Sequence, residues 1–173
     1  MFPFSWLIGL LLPACAATGA AGLPVPPPTD VGKIVRPGTP NTALAAPAVP
    51  GPHAATGFAP DLVIPLYRVP AARLFAAVHE VAASQPRTFL AASYPDVGQE
   101  HWVARSAVFN FPDLITTQVV AAGPDASALV LYSRSVYGRS DLGVNLKRLR
   151  AWLAALNTIL HTILPSTTER DEP

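Results

Sequence analysis

Polar and basic side chains are concentrated between the last strand and the last helix that the sequence predicts. Side chains there that could hold a ligand belong to Ser133, Arg134, Ser135, Arg139, Ser140, Asp141, Asn145 and Arg148. The N-terminus of a helix has free backbone N–H groups, and arginines beside it bind phosphate, sulfate or carboxylate. The spacing therefore predicts an anion-binding site at the start of the last helix.

The same residues are also compatible with a structural corner that binds no ligand. In that alternative Arg139 pairs with Asp141 or Asp113, because structural ion pairs also produce such clusters. Asn145 would then hold the connecting loop together, and Ser140 or Asp141 would cap the helix. Of these two alternatives, the residue types favour the structural corner over the anion-binding site.

The segment that carries these residues resembles a known protein family. Residues 133–148 have the pattern SRSxxGRSDLGVNxxR, and Phe-Pro-Asp stands upstream at residues 111–113. This pattern is similar to DUF1499, a domain family of unknown function in bacteria and plastid-bearing organisms, and the resemblance extends over about residues 62–156. Because the activity of that family is unassigned, the resemblance implies no catalytic residue.

Enzymatic chemistry finds little support in the sequence. The chain has no Gly-x-Ser-x-Gly elbow, His-Glu-x-x-His motif, P-loop or dinucleotide-binding glycine motif. Its histidines, His53, His79, His101 and His161, form no pair at the i, i+2 or i, i+4 spacing of metal ligands. We therefore expect no metal and no cofactor, and we favour a protein that is not an enzyme over an enzyme with an unrecognised motif.

Composition and charge narrow the class of protein further. The chain has 12 basic and 11 acidic residues, and a net charge of +1 does not draw a protein to nucleic acid. Half of the residues are apolar and only 13% are charged, which reflects abundant alanine and proline rather than a membrane protein. The single cysteine, Cys15, excludes an intramolecular disulfide and a cysteine-based zinc site within one chain.

Residues 1–15 are predicted to be an export signal. Residues 2–12 form an apolar run that is too short to span a bilayer but suits a signal peptide. The sequence Leu-Pro-Ala-Cys at residues 12–15 resembles a bacterial lipobox, which implies that Cys15 becomes the acylated first residue of a lipoprotein. The alternatives are ordinary signal cleavage near residues 14–17 and a buried N-terminal segment of a cytosolic protein.

Residues 16–60 are predicted to be a disordered tether. The segment consists mostly of alanine, proline, glycine and threonine, and it has few large side chains to bury. Such a composition cannot offset the entropy of ordering the chain, and it favours extended polyproline II structure. The tether would hold the domain away from a membrane surface.

The folded domain is predicted over residues 61–165, followed by a polar tail at residues 166–173. Residues 61–68 are rich in Val, Ile and Leu but contain Pro65, which indicates an edge strand. Apolar residues at helical spacing predict a helix before the proline at position 86. That helix covers residues 70–85, and turn residues separate four further strands over residues 88–94, 101–111, 114–121 and 127–136.

The last predicted element is a long amphipathic helix over about residues 141–164. Its leucines alternate steps of three and four, which leaves one apolar face that must lie on the sheet. Consecutive strands with short turns predict an antiparallel meander. The expected fold is therefore α+β, in the order β-α-β-β-β-β-α, with an antiparallel sheet and two helices packed on one face.

The function favoured by these patterns is a non-enzymatic cell-envelope domain that binds a small anionic or lipid-like ligand. Aromatic side chains could line a cavity if the sheet curled around the long helix, as in helix-grip lipid-binding domains. The main alternative is a protein-interaction or scaffolding module of the envelope. The expected partners are the membrane, through the lipid anchor, and a small molecule or envelope protein. The domain would face the periplasm, and the outer membrane is favoured over the inner because Ala16 is not the aspartate that retains enteric lipoproteins.

Overall fold

The computed structural model describes residues 13–48 and 57–163 of the chain. The apolar run of the predicted export signal, over residues 2–12, and the predicted polar tail, over residues 166–173, lie outside the described residues. No helix in the described part of the chain combines the length and the apolar character needed to cross a membrane.

The described residues form a mixed α+β structure, as the sequence predicts. The helices are α1 (Pro13–Ala16), α2 (Ala71–Ser84) and α3 (Val144–Ile163). The strands are β1 (Thr42–Pro47), β2 (Leu62–Ile64), β3 (Thr88–Tyr94), β4 (Gln99–Arg105), β5 (Pro112–Gly123) and β6 (Ala126–Ser135). The elements after residue 69 lie close to their predicted positions, except that β4 ends at Arg105 and a loop replaces its predicted continuation to residue 111.

The described strands form one mixed sheet in the order β2-β1-β6-β5-β4-β3. Antiparallel pairing joins β3 to β4, β4 to β5 and β5 to β6, which confirms the predicted meander. The expectation of a purely antiparallel sheet is wrong, because β1 and β2 pair in parallel, with Ala45 opposite Leu62. Parallel neighbours need a crossover rather than a tight turn, and the connection over residues 48–61 is long enough to provide one.

The predicted tether, residues 16–60, contains strand β1, so the predicted start of the domain at residue 61 is too late. The side chains at residues 43–46 are each at most 1% exposed, and β1 lies between β2 and β6 inside the sheet. The strand sequence TALAAP has no valine, isoleucine or aromatic residue, so its composition does not indicate a strand. Packing on both faces of the sheet, which sequence composition does not reveal, outweighs this weak propensity.

The face of the sheet towards α2 and α3 carries the larger cluster of buried side chains. It joins strand residues to the apolar stripes of the two helices, and its largest members include Trp102, Ile115, Leu129, Leu131, Leu74, Val78, Leu149 and Trp152. A void of only about 10 Å³ lies among these side chains, which is scarcely room for one water molecule. The aromatic cavity considered beneath the long helix is therefore filled by side chains at this position.

The opposite face of the sheet, which we call the outer face, carries a second buried cluster. Leu44, Val130 and Tyr132 of the sheet pack there with Val31 from the segment before β1. We call that segment, residues 17–37, the strap. Because helices cover one face of the sheet and the strap covers the other, every residue of β4 is buried, including its charged and polar residues.

Candidate functional site

Arg148, near the start of α3, lies at the centre of a buried polar network. Its guanidinium donates to the Asp113 carboxylate at 2.6 Å and to the Ser133 hydroxyl at 2.9 Å. It also donates to the side-chain oxygen of Asn145 at 2.6 Å. Asp113 lies near the start of β5 and Ser133 near the end of β6, so the network fixes the start of α3 to two adjacent strands.

Asn145 extends this network to the first strand and to the beginning of the helix. Its side-chain amide donates to the backbone carbonyl of Asn41 at 3.0 Å, to the Ser135 hydroxyl at 3.0 Å and to the Asp141 carboxylate at 2.7 Å. The Asp141 carboxylate also accepts from the backbone N–H of Asn145 at 2.9 Å, so Asp141 caps the helix. A fully buried amide such as that of Asn145 requires such partners.

Five of the eight predicted site residues form this network, namely Ser133, Ser135, Asp141, Asn145 and Arg148. The other three, Arg134, Arg139 and Ser140, are exposed. Arg148, rather than Arg139, is the partner of Asp113. Because the Arg148 guanidinium already has a carboxylate and two further acceptors, it has little capacity left for an external anion. For this cluster the geometry favours the structural corner.

The strap is attached to the outer face of the sheet by side chains of β3 and β4. The Thr29 N–H donates to the side-chain oxygen of Gln99 at 2.6 Å, and the Gln99 amide donates to the Thr29 carbonyl at 2.8 Å. The Tyr94 hydroxyl donates to the Pro26 carbonyl at 2.8 Å. Prolines lack a backbone N–H, so the strap offers mainly carbonyl acceptors and the sheet supplies the donors.

His101 of β4 makes a further attachment and is buried beneath the strap. Its Nε2 lies 3.1 Å from the Pro27 carbonyl oxygen, and its Nδ1 lies 3.1 Å from the Thr116 hydroxyl. A neutral ring protonated on Nε2 donates to Pro27 and accepts from Thr116, so both contacts are satisfied. Burial lowers the pKa of His101 below its ordinary value of 6.5, and the contact with Pro27 opposes part of this effect. The imidazole is therefore neutral near pH 7.

A cavity of about 360 Å³ lies between the strap and the outer face. This volume is within the range of small-molecule pockets. Its walls are mostly apolar and come from both the strap and the sheet: Pro26, Ile34, Val35, Pro37, Leu114 and Tyr132. The polar groups in its lining include His101, Thr116 and Arg134. Arg134 forms no ion pair with any described residue, so its charge is available to a ligand.

A second cavity, of about 240 Å³, shares Leu114 with the first. Its lining contains only alanine, leucine, valine and proline side chains, contributed by residues 20–25 of the strap and by Ala91, Val103 and Leu114 of the sheet. Both cavities border Leu114; Arg134 is in the lining of the first, and only apolar residues line the second. This arrangement suits a molecule with a charged group and an aliphatic part.

A hydrogen bond between Glu100 and His79 on the helix face was not singled out by the sequence. Glu100 is 2% exposed, and its Oε1 accepts from His79 Nδ1 at 2.8 Å and from the Ser93 hydroxyl at 3.1 Å. A carboxylate-bound imidazole also occurs in catalytic triads. Here, however, the Ser93 hydroxyl contacts the carboxylate rather than the imidazole, so His79 does not activate it. The contact joins α2 to β4 across 21 positions, a separation that no sequence pattern reveals.

The N-terminal part of the described chain is held at one end of the sheet. Asn110, in the loop between β4 and β5, donates its side-chain amide to the carbonyls of Cys15 and Ala17 at 2.6 and 2.9 Å. Burial raises the pKa of the Cys15 thiol above its ordinary value. Arg105 donates to three more backbone carbonyls at 2.6–2.7 Å, those of Ala14, Gly19 and Ala21. These contacts fix Cys15 beside the β4–β5 loop.

Comparison with known proteins gives a family match and distant similarity to solved structures. Residues 36–156 match the family described as "Protein of unknown function (DUF1499)", a range that contains the whole sheet and most of α3 but little of the strap. None of the curated proteins matches the chain. Among solved structures, the chain is similar to the crystal structure of TTHA0849 from Thermus thermophilus, with 9% identity, a TM-score of 0.35 and coverage of 57% of this chain and 94% of that one.

Proposed function

This chain belongs to the DUF1499 family of proteins of unknown function, and from that premise we propose that its domain is a non-enzymatic binding module for a small anionic or lipid-like ligand. The observation that carries the proposal is the cavity between the strap and the outer face. Arg134 would pair with a phosphate or carboxylate group at the polar end of the cavity. The apolar walls would hold the rest of the molecule.

The second cavity supports a lipid-like ligand in particular. It continues from Leu114 to Val103 and to the strap residue Leu23, and it is lined by apolar side chains. An aliphatic chain placed there would leave water, with a gain of about 0.8 kcal/mol for each buried methylene group. The strap would cover the ligand, because its attachments at Gln99, Tyr94 and His101 lie along the same face.

In this proposal the protein is a lipoprotein of the cell envelope, acylated at Cys15 and facing the periplasm, with the outer membrane favoured. The support is the lipobox-like sequence at residues 12–15. A thiol reacts as its thiolate, and burial raises the pKa of Cys15, so acylation would precede the packing of Cys15 against Asn110. Labelled palmitate should enter the wild-type chain and not the Cys15→Ser variant. Equal labelling of both would contradict acylation at this residue.

The ligand proposal is tested by native mass spectrometry of the full chain, purified from its own host in a mild detergent. We expect a defined mass above that of the bare chain. Leu114→Trp places a larger side chain on the wall that both cavities have in common and should abolish the added mass, and Arg134→Ala should reduce its abundance. Arg150→Ala removes an exposed arginine on α3 and serves as the matched control that keeps the adduct.

Two results would contradict ligand binding in this cavity. One is a bare mass for the wild-type chain under conditions that preserve its fold. The other is an undiminished adduct on Leu114→Trp when circular dichroism shows that this variant is folded. In the second case the ligand would have to lie elsewhere on the protein.

A further inference from the structure

One end of the sheet carries large apolar side chains that face solvent. We call it the loop end and define it by the β4–β5 loop, residues 106–111, and the β6–α3 connection, residues 136–143. The pairing of β4 with β5 and of β5 with β6 places both connections at the same end of the strands. Val108 is 76% exposed, Phe109 is 42% exposed and Leu142 is 93% exposed. Clustered apolar groups of this size on a surface mark a place of interaction.

The backbone at the loop end is also unusual. The described residues other than glycine with positive φ are Arg87 at 54°, Asn110 at 56° and Leu142 at 53°. All three belong to this end, because Arg87 directly precedes β3, whose first residue pairs with Ala104 near the end of β4. A bulky leucine rarely adopts this conformation. The side chains of Ser140 and Asp141 hold this turn by accepting from the backbone N–H groups of Leu142 and Gly143, and the Leu142 side chain is left in solvent.

The exposed charge at the loop end is positive. Arg87, Arg139 and Lys147 are all exposed there. The acidic groups nearby are already engaged, since Asp113 is buried against Arg148 and Asp141 caps α3. Apolar side chains flanked by exposed basic groups are typical of protein segments that lie in the head-group region of an anionic membrane. The charge pattern therefore favours an anionic lipid surface over another apolar protein face.

Cys15 lies at this same end of the molecule. Its carbonyl accepts from Asn110, which is the chain neighbour of the exposed Phe109. The point at which the chain would join the membrane and the exposed apolar loop are thus adjacent. We propose that the loop end docks on an anionic lipid bilayer, with Val108, Phe109 and Leu142 among the lipid head groups and Arg87 and Arg139 at the phosphates.

This proposal rests on the envelope location proposed above but does not need the acyl chain. It also changes the expected geometry, because the contacts of Asn110 and Arg105 with residues 15–21 leave no long tether at the point of attachment. The domain would lie directly on the bilayer with the loop end of the sheet towards the lipid. The other end of the sheet, which carries Val97 in the β3–β4 turn, would face away from the membrane.

The test uses a local fluorescence signal in the chain of residues 15–173, the product that signal removal would leave, with Cys15→Ser. Neither the apolar run at residues 2–12 nor an acyl group then contributes. Single cysteines are introduced as Val108→Cys, Leu142→Cys or Val97→Cys and labelled with an environment-sensitive nitrobenzoxadiazole dye. Val97 is the matched control because it is also an exposed valine, 51% exposed, at the opposite end of β4. On addition of phosphatidylglycerol vesicles, emission should rise several-fold at positions 108 and 142 and stay unchanged at position 97.

Charge is tested separately in the same chain of residues 15–173. Arg139→Ala should weaken the vesicle affinity reported at position 108 by about fivefold, because a basic residue near an anionic surface contributes about that factor. Arg73→Ala, an exposed arginine in the first turn of α2, should leave the affinity unchanged. Phosphatidylcholine vesicles should bind the chain more weakly than phosphatidylglycerol vesicles.

Three outcomes would overturn docking through the loop end. The first is an equal response at positions 97 and 108, which would show general adsorption. The second is no response at 108 and 142 while the chain floats with the vesicles. The third is a rise at 108 with protein concentration and no lipid, which would make the occupant a second copy of the chain. Failure of palmitate labelling, by contrast, would remove the acyl anchor and leave these results unaffected.

Discussion

The Asp113 carboxylate and the Arg148 guanidinium are both largely withdrawn from water, with side chains 11% and 14% exposed. Removing one partner leaves the other buried without a counter-charge. The resulting decrease in the free energy of unfolding is larger than the contribution of the intact pair. The Ser133 hydroxyl and the Asn145 side-chain oxygen would lose a charged donor at the same time. The Arg148 guanidinium therefore helps to fix the start of α3 on the sheet.

We predict that Arg148→Ala lowers the free energy of unfolding by about 3 kcal/mol, within the range for breaking a buried ion pair. Urea unfolding followed by circular dichroism measures the change. Arg150→Ala removes an exposed arginine two residues further along the same helix and should change the stability by less than about 0.5 kcal/mol. Wild-type stability of Arg148→Ala, combined with loss of phosphate binding, would contradict the structural corner and favour the anion site.

At the scale of elements, the position of the strap determines whether the outer face is exposed to solvent or forms the wall of a cavity. It has little secondary structure of its own beyond the short 3₁₀ helix Val31–Lys33, so its position depends on contacts with the sheet. His101 provides one of these contacts, and its ring is neutral when it donates to Pro27 and accepts from Thr116. A buried imidazolium would lack water and would lose the hydrogen bond that Thr116 donates.

We therefore predict that the folded protein loses stability as the pH falls. The unfolded chain binds a proton on His101 at its ordinary pKa of 6.5, whereas burial lowers that pKa in the folded protein. The unfolded state then holds more protons at and just below pH 6.5, so the free energy of unfolding decreases with falling pH until the folded pKa is passed. Urea unfolding of the wild type and His101→Gln at several pH values measures this contribution.

The variant His101→Gln should show a shallower decrease than the wild type. His161→Gln changes an exposed histidine near the end of α3 and should follow the wild-type curve. Identical pH dependence of the wild type and His101→Gln would show that the imidazole is not buried beneath the strap.

The elements that the sequence predicted well are those whose pattern is local. α2, α3 and the meander follow from helical spacing, alternation and turn residues, all within short stretches of chain. Strand β1 could not be found this way, because TALAAP becomes a strand only by pairing with β6, about 90 positions away. One feature of the sequence did indicate additional cover on the sheet. β6 is apolar at successive positions, which is typical of strands that are covered on both faces.

The sequence predicted that the residues of the candidate site lie close together, but it did not predict which contacts each of them makes. Ser133, Asn145 and Arg148 are close in sequence, so their proximity in space followed from the turn between β6 and α3. Asp113 is 35 positions from Arg148. Nothing in the spacing selected Arg148 over Arg139 as the partner of Asp113. The strap-covered cavity was missed because a proline-rich segment is ordered here by side chains of distant strands, such as Gln99, 70 positions from Thr29.

For the whole molecule, the position of β1 sets the smallest unit that can fold. β2 pairs only with β1 in the described sheet, so a chain without β1 would lose both strands from one side. It would also expose the ten-residue strand β6 as an edge, with apolar side chains on both faces. Long apolar edges of this kind pair with other chains and aggregate. The family match, which begins at residue 36, includes β1 and excludes most of the strap.

We predict that a chain of residues 36–173 folds and that a chain of residues 61–173 does not. The first keeps the complete sheet and both long helices, and the loss of the strap should lower its unfolding midpoint in urea. The second should aggregate or unfold without a cooperative transition, because the buried positions 43–46 that complete the core are gone. Circular dichroism and size-exclusion chromatography of the two chains measure the difference. If residues 61–173 gave a monomer that unfolds cooperatively with the midpoint of the full chain, both β1 and the strap would be dispensable, and the four-stranded meander with its two long helices would be the folding unit.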